Sequence, residues 1–114
     1  MKRICLLFVV LLLSCGQAQE RISIGDNGIV DSGGNIAIIC LDQSTHDDYV
    51  NALISDDKIG IVALAIAGKA FPVDSGTRVK VIDLESGKRK VRIMEGKYSG
   101  RAGWVSKEIV RKSL

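Results

Sequence analysis

The sequence predicts a mainly β fold, a small barrel with a small helical insertion, and three observations carry that reading. From Ala70 onward apolar residues recur at every second position, as they do in strands buried on one face. Glycine-bearing turns cut that half of the chain into short segments at the spacing of a small barrel. Between Ser44 and Gly68 the apolar period is instead that of a helix. With 114 residues, the chain has room for one small domain and a leader.

The leader is MKRICLLFVVLLLSCGQAQE. Lys2 and Arg3 precede an unbroken apolar run from Ile4 to Leu13, and small and polar residues follow. That is the layout of a secretory signal peptide, and the run is too short for a permanent membrane span. Leu12-Leu13-Ser14-Cys15 resembles the bacterial lipobox, with Leu13 bulkier than the usual occupant. The resemblance implies a lipoprotein-type signal over residues 1–14, with thioether and amide-linked acyl chains on Cys15. Several chains hold a protein on a membrane where one does not. The implied location is a membrane-anchored bacterial envelope protein facing the periplasm or the cell surface. Cleavage after Ala18 is the alternative, and it gives a soluble periplasmic or secreted protein.

Residues 15–33 read as a tether. Within it RISIGDNGIV has the pattern of a short hairpin, with Ile22 and Ile24 alternating ahead of Asp26-Asn27-Gly28. Asp31-Ser32-Gly33-Gly34-Asn35 is a second breaker cluster. The domain proper is expected over 34–114, opening with the apolar strand IAIIC, residues 36–40. A helical pair at about 44–68 follows. Ser44 with Asp47 and Asp48 marks one start, and Ser55-Asp56-Asp57 marks the next. Tyr49, Val50, Leu53 and Ile54 form the apolar face of the first helix; Ile59, Val62, Ala63 and Ile66 form that of the second. Gly68 is the stop. A strand through IVALAIA is the competing reading.

Short strands then succeed one another: AFPV, TRVKVID, KVRIM, AGWV and a final one opening at Ile109-Val110. Turns at Asp74–Gly76, Leu84–Gly87 and Glu95–Gly100 separate them. Pro72, the only proline, belongs at an edge because it has no N–H for a ladder.

GTRVKVID…KVRIMEGKYSGRAGWVSKEIV resembles the C-terminal part of an SH3-like barrel. Gly100-Arg101-Ala102-Gly103-Trp104-Val105 stands where that family has its G-x-x-G-aromatic-aliphatic strand, and Ser106-Lys107-Glu108 where it has a single helical turn. Over roughly residues 34–114 the chain is similar to small exported bacterial SH3-like proteins, with helices in the loop after the first strand. The resemblance implies an SH3-like barrel with a two-helix insertion. It does not extend to the polyproline surface. Ser106 and Ile109 replace its proline and tyrosine, and outside the leader the aromatics are only Tyr49, Phe71, Tyr98 and Trp104.

The remaining composition narrows the function. Sixteen bases less Lys2 and Arg3, against 13 acids, leave +1. The acids are concentrated in residues 20–75 and the bases in 76–114, which reads as two halves that neutralise each other on folding, with a basic face for an anionic partner as the alternative. No aromatics alternate with the bases, so nucleic acid is not an expected partner. Once the leader is gone and Cys15 is lipidated or removed, Cys40 is alone and reads as a small buried hydrophobe. His46, the only histidine, is expected to face solvent. A Cys40–His46 dyad lacks an orienting group and an oxyanion site. The acid pairs Asp47-Asp48 and Asp56-Asp57 sit at helix starts without calcium-loop spacing, and neither a phosphate loop nor metal-ligand spacing occurs. The expectation is therefore a non-catalytic binding module without cofactor or metal, whose partner is an envelope protein or a cell-wall component. Trp104, Tyr98 and Arg101 are the candidate contacts, since those residue types dominate binding hot spots. For Trp104 the opposing reading is packing beneath the helical pair. A scaffold or inhibitory subunit acting through the acidic helical pair is the alternative function.

Overall fold

The computed structural model describes residues 21–113. The leader, both cleavage sites and Cys15 lie outside the described residues. Seven strands form one antiparallel sheet: β1 (Asn27–Val30), β2 (Ile36–Cys40), β3 (Ala70–Asp74), β4 (Arg78–Glu85), β5 (Lys88–Ile93), β6 (Ala102–Ser106) and β7 (Val110–Lys112). Helices α1 (Gln43–Ile54) and α2 (Lys58–Ile66) lie between β2 and β3, and a single 3₁₀ turn (Lys107–Ile109) separates β6 from β7. The chain is thus mainly β with a two-helix insertion.

Alternation builds the interior. Val79 lies opposite Ile93 and Val81 opposite Val91, all pointing to one face. Every strand contributes to a single apolar cluster that includes Val30, Ile39, Val73, Val81, Ile93, Val105 and Val110. Seven strands can share one core only if the sheet curls round it. The sheet does not close, however. Its order is β3-β2-β6-β5-β4-β1-β7, so β3 and β7 are free ends and the closed barrel expected from the sequence is not formed. Loops hold the curl instead: Asp31 N donates to the Ile109 carbonyl at 2.8 Å, and Ser75 N to that of Asn35 at 2.9 Å. Pro72 sits on the edge strand β3.

Two glycines permit the β5–β6 connection and the β2–β6 contact for different reasons. Gly100 adopts φ +92°, which an L side chain resists. Gly103 has no such dihedral, yet a Cβ there would lie 2.5 Å from the Cys40 carbonyl oxygen and 2.6 Å from Ile39 Cγ2. Its missing side chain lets β6 approach β2 where Cys40 pairs with Trp104.

The N-terminal segment departs from the expected hairpin. Residues 22–24 do not pair with β1. Asp26 folds the chain back locally by accepting from Ser23 N at 2.8 Å, and Gly25 N donates to the Val81 carbonyl at 2.7 Å. β1 then pairs with β4 on one side and β7 on the other. The sheet therefore starts upstream of residue 34, because a strand with neighbours on both sides satisfies more backbone than a two-stranded ribbon.

The helices begin at aspartates. The Asp42 carboxylate accepts from Thr45 N at 2.8 Å, just ahead of the expected start, and that of Asp57 accepts from Gly60 N at 2.8 Å. Each satisfies an orphan donor of its first turn. Gly68 lies just past the end of α2. α1 lies across the outer face of the sheet over β2 and β6, whereas α2 touches α1 and β3. Lys88 of the basic half pairs with Asp47 of the acidic half at 3.2 Å, and Lys112 approaches Asp26 at 3.8 Å.

α2 holds the largest departure from the sequence reading. The face expected to be buried is the one it shows to solvent: Ile59 is 83% exposed, Val62 54% and Ile66 81%. Ile61 and Leu64 are turned toward the protein instead. α1 already covers the outer face of the sheet, which leaves α2 a place only at its margin.

Candidate functional site

IAIIC is apolar throughout, and such a strand is covered on both faces. Ala37 and Ile39 of β2 point into the core, so Ile38 and Cys40 point outward beneath α1. Over Ile38 the helices do not meet the sheet completely. A groove of about 480 Å³ remains, walled by Ile36, Ile38, Tyr49, Leu53, Ile61 and Ile109. Three polar residues reach it: Ser32 at the rim, and His46 and Ser106 between α1 and β6. Apolar walls with few convergent polar groups are the usual make-up of a ligand site.

His46 corrects the sequence reading. It is 5% exposed, and its Nε2 lies 3.1 Å from Ser106 Oγ. Its Nδ1 is buried and makes no hydrogen bond among the described residues. Burial and, after it, the nearby Lys88 ammonium hold the imidazole below its ordinary pKa, outweighing Asp47 and Glu108. The ring is neutral at pH 7. The α-helical register explains its position: Thr45, His46, Tyr49 and Ala52 fall on one face of α1, and a lone histidine in the sequence gives no sign of which face it takes.

Lys88 secures the same end of α1, since its Nζ donates to Gln43 Oε1 at 3.1 Å besides pairing with Asp47. Tyr49 is half-buried, and its hydroxyl is pushed up in pKa mainly by burial, then by the Cys40 thiol. Cys40 is a fully buried free thiol pushed up to about 12, by burial first and Asp42 second. A thiol held there stays protonated at neutral pH.

The three contacts expected from the sequence separate. Tyr98 and Arg101 come together: the Arg101 guanidinium lies 4.5 Å from the Phe71 ring centre and 5.5 Å from that of Tyr98, and the two rings are 4.7 Å apart. Tyr98 packs against the core from outside while Arg101 stays exposed. Trp104 lies on the opposite side of the sheet and is 6% exposed. It is absent from the inner cluster and shares the outward face of β6 with Ser106, on the side that α1 covers, so its burial leaves it little free surface within this chain. The sequence reading missed the groove, although IAIIC with Tyr49 and Leu53 four residues apart signalled a second apolar layer.

The chain matches no protein-family model, no curated protein and no solved structure.

Proposed function

We propose that the chain is an exported, lipid-anchored bacterial envelope protein that binds an apolar segment of a protein partner in the groove between α1 and the sheet. The observation that carries this reading is the groove itself: aliphatic walls, one phenol, and a neutral imidazole–hydroxyl pair between them. Such a lining suits the side chains of a peptide. Two features support membership of the SH3-like class: strand β6 with the Gly100–Val105 motif leading into it, and the 3₁₀ turn before β7. The open sheet is the departure from it. The apolar run before Cys15 supports export and lipidation.

Two measurements test the proposal. The mass of the mature N-terminus should correspond to an acylated Cys15; an unmodified chain starting at Gln19 overturns the anchor. A photo-crosslinking amino acid at Leu53 of the full chain, activated in intact envelopes, should yield one protein adduct that Ile38→Glu removes. A glycan adduct, or none, overturns the protein partner. The alternative, a scaffold or inhibitory subunit acting through the acidic helical pair, draws on the exposure of Asp48, Asp56 and Asp57. In that case Asp48→Lys, and not Ile38→Glu, removes the adduct.

A further inference from the structure

α2 is nine residues long, carries one charge at its first position, and buries none of its side chains completely. Ile59, Val62, Ala63 and Ile66 fall at i, i+3, i+4 and i+7, so they form one unbroken stripe along the helix. The stripe faces away from the domain, while Ile61 and Leu64 turn inward. Contiguous apolar surface of this kind marks an association surface on soluble domains.

We propose that the stripe is where two copies of this chain meet, their α2 helices packed antiparallel across a two-fold axis. The charges around the helix select this occupant. Asp56 and Asp57 stand immediately before α2, Lys58 opens it and Lys69 follows its end, so the first end carries a net −1 and the last +1. Antiparallel packing sets the acids of each copy beside Lys69 of the second copy, and aligns the helix dipoles favourably. Parallel packing sets acid against acid. Along the seam Ile59 meets Ile66 of the second copy. Ala63 lies near the axis, where its small side chain allows the helices to approach closely. The contact is isologous, so it closes at two copies and does not propagate into a filament. A lipid surface fits less well, because helices that lie on membranes carry a polar face rich in Lys and Arg, whereas here Lys58 and Lys69 are offset by Asp56 and Asp57. A helix of this length is about 13 Å long, which places the contact among weak, concentration-dependent interfaces. The proposal does not use the groove and stands or falls apart from it.

Disulfide trapping in the full-length chain tests the arrangement. Ala63→Cys, oxidised in the envelope, should give a reducible dimer beyond whatever the parent chain forms through its own cysteines. Lys97→Cys, remote from α2, should add none. Lys69→Asp in the Ala63→Cys chain should lower trapping about fivefold, the size expected for two exposed ion pairs. Adding Asp56→Lys should restore it. Ile66→Lys should abolish trapping without changing the melting temperature of the monomer. An adduct with a different protein overturns the proposal. So does the absence of a dimer, whether the introduced thiol labels freely with maleimide or is shielded by something else, such as the leader.

Discussion

α1 and α2 follow each other directly and behave in opposite ways. α1 is polar over much of its length, with Gln43, Ser44, Thr45, His46, Asp47 and Asp48 opening it, yet it is seated on the sheet. α2 is almost wholly apolar, yet none of its side chains is fully buried and only Ile61 and Leu64 are half-buried. The difference shows that apolar content alone does not decide which helix covers a sheet. α1 is held by fasteners at fixed positions, the His46–Ser106 bond and the Lys88 contacts with Gln43 and Asp47, and the buried Trp104 lies on the sheet face that it covers. α2 has its cap at Asp57 and, among the described residues, no comparable side-chain bond to a strand.

Truncating the buried indole on the face that α1 covers should break the contrast most severely. Trp104→Ala deletes a large side chain that is 6% exposed and leaves a cavity in its place. The expected loss is about 3–5 kcal/mol, measured by urea unfolding. A loss under about 1 kcal/mol would mean that the polar fasteners alone hold α1 down.

His46 provides a smaller and sharper test. Its folded pKa lies below the ordinary 6.5 because burial disfavours the imidazolium. As pH falls below 6.5 the unfolded chain therefore takes up the proton first. Stability is fully present above 6.5 and is lost as pH falls toward the folded value. His46→Gln keeps a group able to bond Ser106 but does not titrate. Its stability should change less than that of the parent between pH 7.5 and pH 5. Equal slopes for the two chains would show that other groups set the acid sensitivity.

How far the sequence revealed this molecule follows from the same contrast. The inner face was legible: Val79, Val81, Val91 and Ile93 alternate strictly, and alternation within one strand already implies its buried side. The helices were legible too, since their period and their break near Ser55 are local properties. Closure of the sheet was not. Whether β3 meets β7 depends on how far seven strands curl, and no local pattern encodes that sum. The burial of Trp104 and His46 and the exposure of Ile59 and Ile66 share one cause. They depend on which helix reaches the outer face first in space, and the sequence pattern marks an apolar stripe without naming what lies against it. The groove is a consequence of that incomplete cover, so it could be seen only after α1 and α2 were placed.

The smallest expected effect concerns α2 and separates two kinds of apolar residue. Ile66 has the bulk and shape of a core residue, and in the interior its replacement by a small side chain would cost about 2–5 kcal/mol. At 81% exposure it has little burial to lose, so Ile66→Ser should shift unfolding of the dilute chain by no more than about 0.5 kcal/mol. Concentration is the second axis of the experiment. If two copies associate through α2, association adds stability to the parent as the protein becomes more concentrated, since a partner that binds only the folded form shifts the equilibrium by mass action. The serine variant should lack that gain. Melting curves of both chains, recorded from low to high concentration, should coincide at the dilute end and separate at the other. Curves that separate already at the dilute end would show that α2 contributes to the monomer, and curves that never separate would leave the stripe without a second copy.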